Sequence, residues 1–365
     1  MSYFKLKPEV YLITGKKKST LHNLVDEKLL WIDNRLAEGI RKAERGEAIT
    51  ELEFEMLKSF FAKYNWGVFS DKPVFMDKFR SINIYNEKKM HKNTPFIETA
   101  TLQLTNECNL DCEFCGKLFC PSCRIVEERE AALSLEDWML VVDKLKGFGV
   151  KTILLTGGEV ATSPYFKILA EYVITNGISL SVHTNGMVKN NDLPEDSHLI
   201  ISVFQRNQLE HIIKKYKKKK LVSIILYDLV SKEKPKLIPE SWQVVFSRTS
   251  PIPITNKSMV NVDFDSFFSR KLGDHCLDKK LLVTYDGSIY PCMELRYKVG
   301  NFKNNGFHLA IQKLVSEYWK KGVDNYNNKC TSCEFRYACS SCSFFDTENC
   351  QYDLEEGKWI SSLTN

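Results

Sequence analysis

The stretch CNLDCEFCGKLFCPSC, residues 108–123, places five of the chain's 12 cysteines within one short segment. Cys108, Cys112 and Cys115 are separated by three and two residues and directly follow TATLQLT (99–105), which has the composition of a strand. Three thiolates close neither the tetrahedral shell of a structural zinc nor the four-cysteine shell usual for an iron–sulfur cluster. The spacing therefore leaves one coordination position for an outside ligand. Cys120 and Cys123, in CPSC, resemble half a zinc site or a redox pair, without a thioredoxin-like context around them, and fit a structural role as well as a ligand role.

Composition bounds what such a cluster serves. At 365 residues and 43% hydrophobic, the chain can hold two domains, or one large domain with additions. It has no run approaching the roughly 18 apolar residues of a membrane helix, and MSYFKLKPEV lacks a signal-peptide core. A cytoplasmic protein with no membrane partner is expected, and in that compartment clustered thiols are metal ligands before they are disulfides. Fifty-one basic against 46 acidic residues, net +5, do not demand a nucleic-acid partner, and none is expected. KKYKKKK (214–220) has the character of a solvated helix end more than of a phosphate-binding patch, since Tyr216 is its one aromatic residue.

Three zones follow along the chain. Residues 1–95 hold two strand-like runs, EVYLITG and KLLWID, and two amphipathic runs, RLAEGIRKAERG and TELEFEMLKSFFAKYNW, a small α+β module. Residues 96–260 alternate strand and helix. The strands expected are TATLQLT, KTILLTG, SLSVHTN, LIISVF, VSIILYD and WQVVFS, with SLEDWMLVVDKLKGFG a helix capped by Ser134. Six such units predict an α/β fold with a partial (β/α)6 TIM-like barrel, whose chemistry sits at the carboxyl ends of the strands. Residues 261–365 hold the other seven cysteines in a short, loop-rich domain whose own core is small enough to need metal.

The first cluster, with Phe114 just before Cys115, resembles the cysteine motif of radical S-adenosylmethionine (SAM) enzymes. Gly157, Gly158 and Glu159 in LLTGGEV resemble the family's element for the SAM amino group. Thr184 and Asn185 in HTNG and Ser202 in ISVF fall at its SAM-binding strand ends, and Arg248 matches a position that can meet the SAM carboxylate. Val160 stands where the family commonly has proline, and FQRN replaces an aspartate–glycine pair after the fourth strand. The resemblance implies a [4Fe–4S] cluster on Cys108, Cys112 and Cys115 that binds S-adenosyl-L-methionine. SAM would be cleaved reductively to a radical that abstracts hydrogen.

The later cysteines resemble the SPASM extension of that family, which holds two auxiliary [4Fe–4S] clusters. By resemblance, Cys330, Cys333, Cys339 and Cys350 complete one cluster, and Cys276, Cys292 and Cys342 supply three ligands of the other. Asp274, His275, Cys120 or Cys123 would add the eighth, or that position would stay open for substrate. Two residues, not the usual three, precede Cys342. A zinc-ribbon pairing of CTSC with CSSC is the alternative.

SPASM enzymes mostly act on peptides or proteins. The family resemblance therefore implies an oxidoreductase that matures a ribosomally made precursor peptide, by an oxidative crosslink. Residues 1–95 resemble loosely the leader-binding segments of such maturases, so two roles stay open for them: recognition of the leader, or a structural cap packed on the barrel. FEMLKSFFAKYNWGVFSDKPVFMDKF further resembles maturases found with ATP-grasp ligases. A flavodoxin or ferredoxin would be the low-potential electron donor. Two alternatives stay open: a protein maturase of the anaerobic sulfatase type, and a zinc-binding adaptor or nucleic-acid-binding protein.

Overall fold

The computed structural model describes residues 3–47, 49–81, 95–110, 112, 131–188, 193–227, 233–247, 254–273, 276–293, 295, 297–303, 306–326, 328–340 and 349–360. They form two compact units. One comprises Met1–Met90, Pro253–Cys276 and Trp319–Asn365, the other His91–Ile252 and Leu277–Tyr318. No helix of the described residues is long and apolar enough to cross a membrane.

The second unit is built on six parallel strands: β6 (Thr99–Gln103), β7 (Thr152–Thr156), β8 (Ser179–Thr184), β9 (His198–Val203), β10 (Val222–Tyr227) and β11 (Gln243–Ser247). All six strands expected from the apolar runs are present. They hydrogen-bond in chain order as a partial barrel. The parallel register runs Gln103 against Thr156, Leu155 against Val182, Thr184 against Ile201 and Val203 against Leu226. In β7, β8 and β9 alternate residues are buried, among them Ile153 and Leu155, Leu180 and Val182, and Leu199 and Ile201, while β10 is buried along most of its length. That alternation matches the pleat of a strand with an apolar face.

Helix α3 (Leu135–Gly147) joins the core through Trp138, Val141, Val142 and Leu145. Ser134 caps it: its hydroxyl accepts from the Asp137 N–H, while the Asp137 carboxylate returns the bond to the Ser134 N–H. Helices α4 (Phe166–Thr175) and α5 (Arg206–Tyr216) follow β7 and β9. On the other side of β6 the sheet continues through β12 (Lys280–Val283), parallel to β6, then β13 (Ser288–Tyr290) and β14 (Gly300–Asn301), antiparallel. The hairpin from β12 to β13 turns at Gly287, whose φ of 82° favours glycine.

The first unit contains the ends of the chain. Strands β2 (Val10–Thr14), β3 (Lys18–Asn23) and β4 (Lys28–Asp33) make an antiparallel sheet, and β1 (Tyr3–Leu6) pairs with β5 (Gly67–Ser70). Helices α1 (Asn34–Arg45) and α2 (Glu51–Phe61) lie where the amphipathic runs predicted them. One apolar cluster joins Val10, Leu21 and Ile32 to Leu36, Ile40, Leu57 and Phe61. A second joins Tyr11, Ile13 and Leu24 to Phe267 and Phe268 of α6 (Phe264–Leu272) and to Val323, Tyr326 and Tyr337. Residues more than 300 positions apart thus share a core.

His22 of β3 is buried there, with Nε2 3.0 Å from the Thr20 hydroxyl. Burial, aided by Arg336, holds its pKa down to about 3. An unfolded histidine titrates near 6.5, so below about that pH the unfolded chain binds the proton that the fold refuses. His22 therefore withdraws stability as pH falls from about 6.5 towards 3. Thermal unfolding of the apoprotein should lose several degrees between pH 6.5 and 4.5, and His22→Gln should lose less over the same interval; equal losses would remove His22 as a cause.

Candidate active site and metal centres

The carboxyl ends of β6, β7 and β8 meet around a loop, residues 104–110, that leads into Cys108. The Leu104 N–H donates to the Thr156 carbonyl at 2.8 Å, the Gly158 N–H to Thr105 at 2.9 Å and the Glu159 N–H to Glu107 at 2.7 Å. The two glycines are explained by this approach. A Cβ on Gly158 would collide with the Glu107 carbonyl, and one on Gly157 would lie 2.8 Å from the Thr105 methyl. The loop that carries the first cysteine rests on backbone with no side chain in between.

Glu159 is fully buried. Its Oε1 accepts from the Thr184 hydroxyl at 2.6 Å and the Ala161 N–H at 3.1 Å, and its Oε2 from the Asn185 N–H at 2.7 Å. A carboxylate has about four acceptor positions, so three are used. Burial pushes the Glu159 carboxyl above the ordinary carboxylate range, while the Thr184, Asn185 and Ala161 bonds and the Lys215 charge act in the opposite sense. The Thr184 hydroxyl also accepts from the Gly186 N–H at 2.9 Å. The end of β8 is thereby locked to the end of β7.

Asn185 carries that order to the cysteine loop. Its Nδ2 donates to Asn109 Oδ1 at 2.8 Å and lies 3.7 Å from Cys108 Sγ. Cys108 is exposed and Cys112 half-buried. Ser202 is buried and shares a 2.8 Å hydrogen bond with His183 Nε2 across β8 and β9. Two lysines of the basic run have structural work: Lys215 donates to the Gly186 and Val188 carbonyls, and Lys219 to Leu193 at 3.2 Å and Pro194 at 2.6 Å. They pin the segment that follows the Asn185 turn.

In the first unit, the segment bearing Cys330, Cys333 and Cys339 is a series of tight turns, with Cys333 N–H donating to the Cys330 carbonyl at 3.1 Å. Cys339 forms an antiparallel bridge to Met259 and Cys350 a parallel bridge to Ile254, so one short segment connects both. Lys329 Nζ reaches the Cys350 carbonyl at 3.3 Å. All four thiols are half-buried. Burial chiefly, with smaller effects from Glu334, Cys330 and Cys339, pushes the Cys333 thiol up, while the Phe335 N–H, which donates to its sulfur at 3.4 Å, acts in the opposite sense. Among the described residues no three His, Cys, Asp or Glu side chains converge to hold a single ion.

Cys276 is exposed, and Cys292 is half-buried, two residues beyond β13. Phe114, Cys115, Cys120, Cys123, Arg248, Asp274, His275 and Cys342 lie outside the described residues. The residues present fit an iron site at the barrel: the Cys108 thiol follows the carboxyl end of β6, with the Asn185 amide against its sulfur. His183 and Glu107 were not singled out from the sequence. His183 stood inside HTNG, but its partner Ser202 comes from another strand.

Comparisons with known proteins match two segments of the chain. A family model of the radical SAM superfamily matches residues 102–226, and one of an iron–sulfur cluster-binding domain, SPASM, matches residues 275–334. The sporulation killing factor maturation protein SkfB of Bacillus subtilis (strain 168) is 40% identical over 89 residues, 24% of this chain and 20% of that protein. The antilisterial bacteriocin subtilosin biosynthesis protein AlbA of the same organism is 31% identical over 134 residues, 37% of this chain and 25% of that protein. The chain therefore spans a fifth to a quarter of the length of these two curated relatives. Streptococcus suis SuiB bound to S-adenosylmethionine superposes with a TM-score of 0.46 at 15% identity, over 92% of this chain and 94% of that one. The radical SAM domain binds SAM and a [4Fe–4S] cluster, and the SPASM domain binds auxiliary iron–sulfur clusters. The chain thus carries a radical SAM domain over residues 102–226 and a SPASM iron–sulfur cluster-binding domain over residues 275–334.

Proposed function

We propose that this chain is a radical SAM/SPASM oxidoreductase that matures a ribosomally made precursor peptide by closing an oxidative crosslink. The observation that carries the radical SAM part is the network in which one buried carboxylate, Glu159, holds Thr184 and Asn185, and Asn185 in turn contacts the Cys108 loop. When bound, the cluster and SAM supply a carbon radical that abstracts hydrogen from substrate, and auxiliary clusters supply an acceptor for the electron released as the new bond closes. The chain's own residues give order. Gly157 and Gly158 let the cysteine loop sit on β7, Glu159 fixes the end of β8, and Cys108, Cys112 and Cys115 provide the thiolates. Phe114, Ser202 and Arg248 complete the proposed SAM surroundings, and a flavodoxin or ferredoxin supplies the reducing electron.

Support for a peptide substrate comes from the relatives: SkfB is a maturation protein for a killing factor, and AlbA takes part in the biosynthesis of a bacteriocin. Also, SuiB has been solved with its precursor peptide SuiA. In this chain, β1 lines a cavity of about 670 Å³ together with the end of α1 and residues 73–77. Tyr3, Phe4, Val74 and Phe75 give it apolar walls, and Lys5, Glu44, Arg45 and Asp77 a charged rim. A strand edge beside apolar pockets suits an extended leader, bound by strand addition.

Co-expression with a small peptide encoded beside this chain should yield a product lighter by two hydrogens, with fragmentation blocked across the crosslinked residues. A peptide carrying an aldehyde would instead mark the sulfatase type of maturation. Cys112→Ala should abolish SAM cleavage while the later clusters persist; retained cleavage would reject the barrel site. Thr184→Val strips one donor from the buried Glu159 carboxylate, a loss of about 1–3 kcal/mol of local order. SAM affinity measured by equilibrium dialysis should fall roughly tenfold or more with iron unchanged, and unaltered affinity would exclude the network from SAM binding.

A further inference from the structure

The Cys330–Cys339 segment is seated on the amino-terminal sheet by three alternate residues. The Ser332 carbonyl accepts from the Lys16 N–H at 3.1 Å. The Glu334 carbonyl accepts from the Thr20 hydroxyl at 2.8 Å. Arg336 donates to the Thr14 carbonyl at 2.9 Å and to the Cys333 carbonyl at 2.7 Å, while its Nε pairs with Asp324 at 2.8 Å. Residues 14–20 thus bond to both sides of Cys333.

The Glu334 side chain is the centre of this contact. It is 1% exposed, although it carries a carboxylate. Oε1 accepts from Trp31 Nε1 at 3.2 Å and from the Tyr352 hydroxyl. Oε2 occupies the space beside Gly15 that any Cβ would fill. Trp31, Phe335, Tyr352 and Trp359 surround it as an aromatic wall, with Trp31 and Phe335 centroids 5.5 Å apart and Phe335 and Tyr352 5.2 Å apart. Burying a carboxylate is costly unless it is hydrogen-bonded, so a group placed here is held in one geometry by its donors. The donors come from β4 and from the segment after Cys350; the acceptor stands next to Cys333.

We propose that the sheet β2–β4 is the positioning scaffold of an auxiliary iron–sulfur cluster, and that Glu334, clamped by Trp31, Tyr352 and Gly15, is the side chain through which it sets the cysteine segment. This rests on the proposed cluster at Cys330, Cys333, Cys339 and Cys350. Residues beyond the ligands orient thiolates and tune clusters in the same manner as outer partners of other metal sites. The amino-terminal module is then part of a metal centre, whatever else it binds.

The test uses full-length protein, purified and reconstituted anaerobically, with iron and sulfide per chain, the electron paramagnetic resonance of the reduced protein, and circular dichroism of the apoprotein. Glu334→Ala and Gly15→Val should each lose about four irons, one cluster's worth, while the SAM-responsive signal remains. Glu334→Gln, whose amide oxygen still accepts from Trp31 and Tyr352, should restore most of the iron. Trp31→Phe removes one donor from a side chain at the surface and serves if the other variants do not fold: its iron should be lost to a chelator several-fold faster than in wild type. Full iron, an unchanged signal and wild-type chelator kinetics in these variants would overturn the scaffold role, provided that Cys330→Ala/Cys333→Ala has lost a cluster. If that double variant keeps all its iron, the cluster assignment fails, and the scaffold role fails with it.

Discussion

A carboxylate with no access to water must be given donors, and at Glu159 all of them come from chain that borders the proposed reaction site. Thr184 and Asn185 close β8, Ala161 follows the glycine pair, and the Glu159 N–H is itself bonded to Glu107 just before Cys108. Three strand ends are therefore tied together by one residue, two through its carboxylate and the third through its backbone N–H. Losing it would leave buried donors unpaired and release the Asn185 amide from Cys108, so local order and ligand geometry depend on the same bonds. Lys215 and Lys219 extend the arrangement by holding the segment after Gly186 through its carbonyls.

The first unit obeys a comparable constraint. Its three-stranded sheet is covered on one side by α1 and α2, while another set of its residues packs with Phe267, Phe268 and Tyr337 from the far end of the chain. Contacts such as Thr20 with Glu334 span 314 positions, so this core cannot close until both termini have been made. Removing the amino-terminal residues would strip the cover from the cysteine segment as well as any peptide-binding surface. Loss of activity on such truncation is thus no measure of leader recognition by itself.

Much of this was legible in the sequence. The six parallel strands follow apolar runs, Ser134 and Asp137 announce the start of α3, and the glycine pair with Glu159 marks the end of β7. Strand β3 was not legible, because KSTLHN buries Ser19, Thr20, His22 and Asn23 and has no apolar alternation. Strands β1 and β5 are only four residues long. The hairpin of β12 and β13 lay inside a zone expected to be loop, yet its Leu281, Leu282, Val283 and Ile289 join the barrel sheet. At the sites, residue type was visible but environment was not. Glu159 and Glu334 look alike as letters, and nothing local reveals that each is buried with donors from remote strands. The lysines of KKYKKKK have the composition of solvated charge, and their carbonyl partners are set by the tertiary fold.

Iron, sulfide and zinc per chain, measured after anaerobic purification and reconstitution for wild type and for Cys108→Ala/Cys112→Ala/Cys115→Ala, test most directly that the barrel cysteines form a centre of their own. Three four-iron clusters require about twelve irons with matching sulfide, falling to about eight in the triple variant. Zinc without sulfide, or iron that does not change in the variant, would contradict a SAM-binding cluster on those three cysteines.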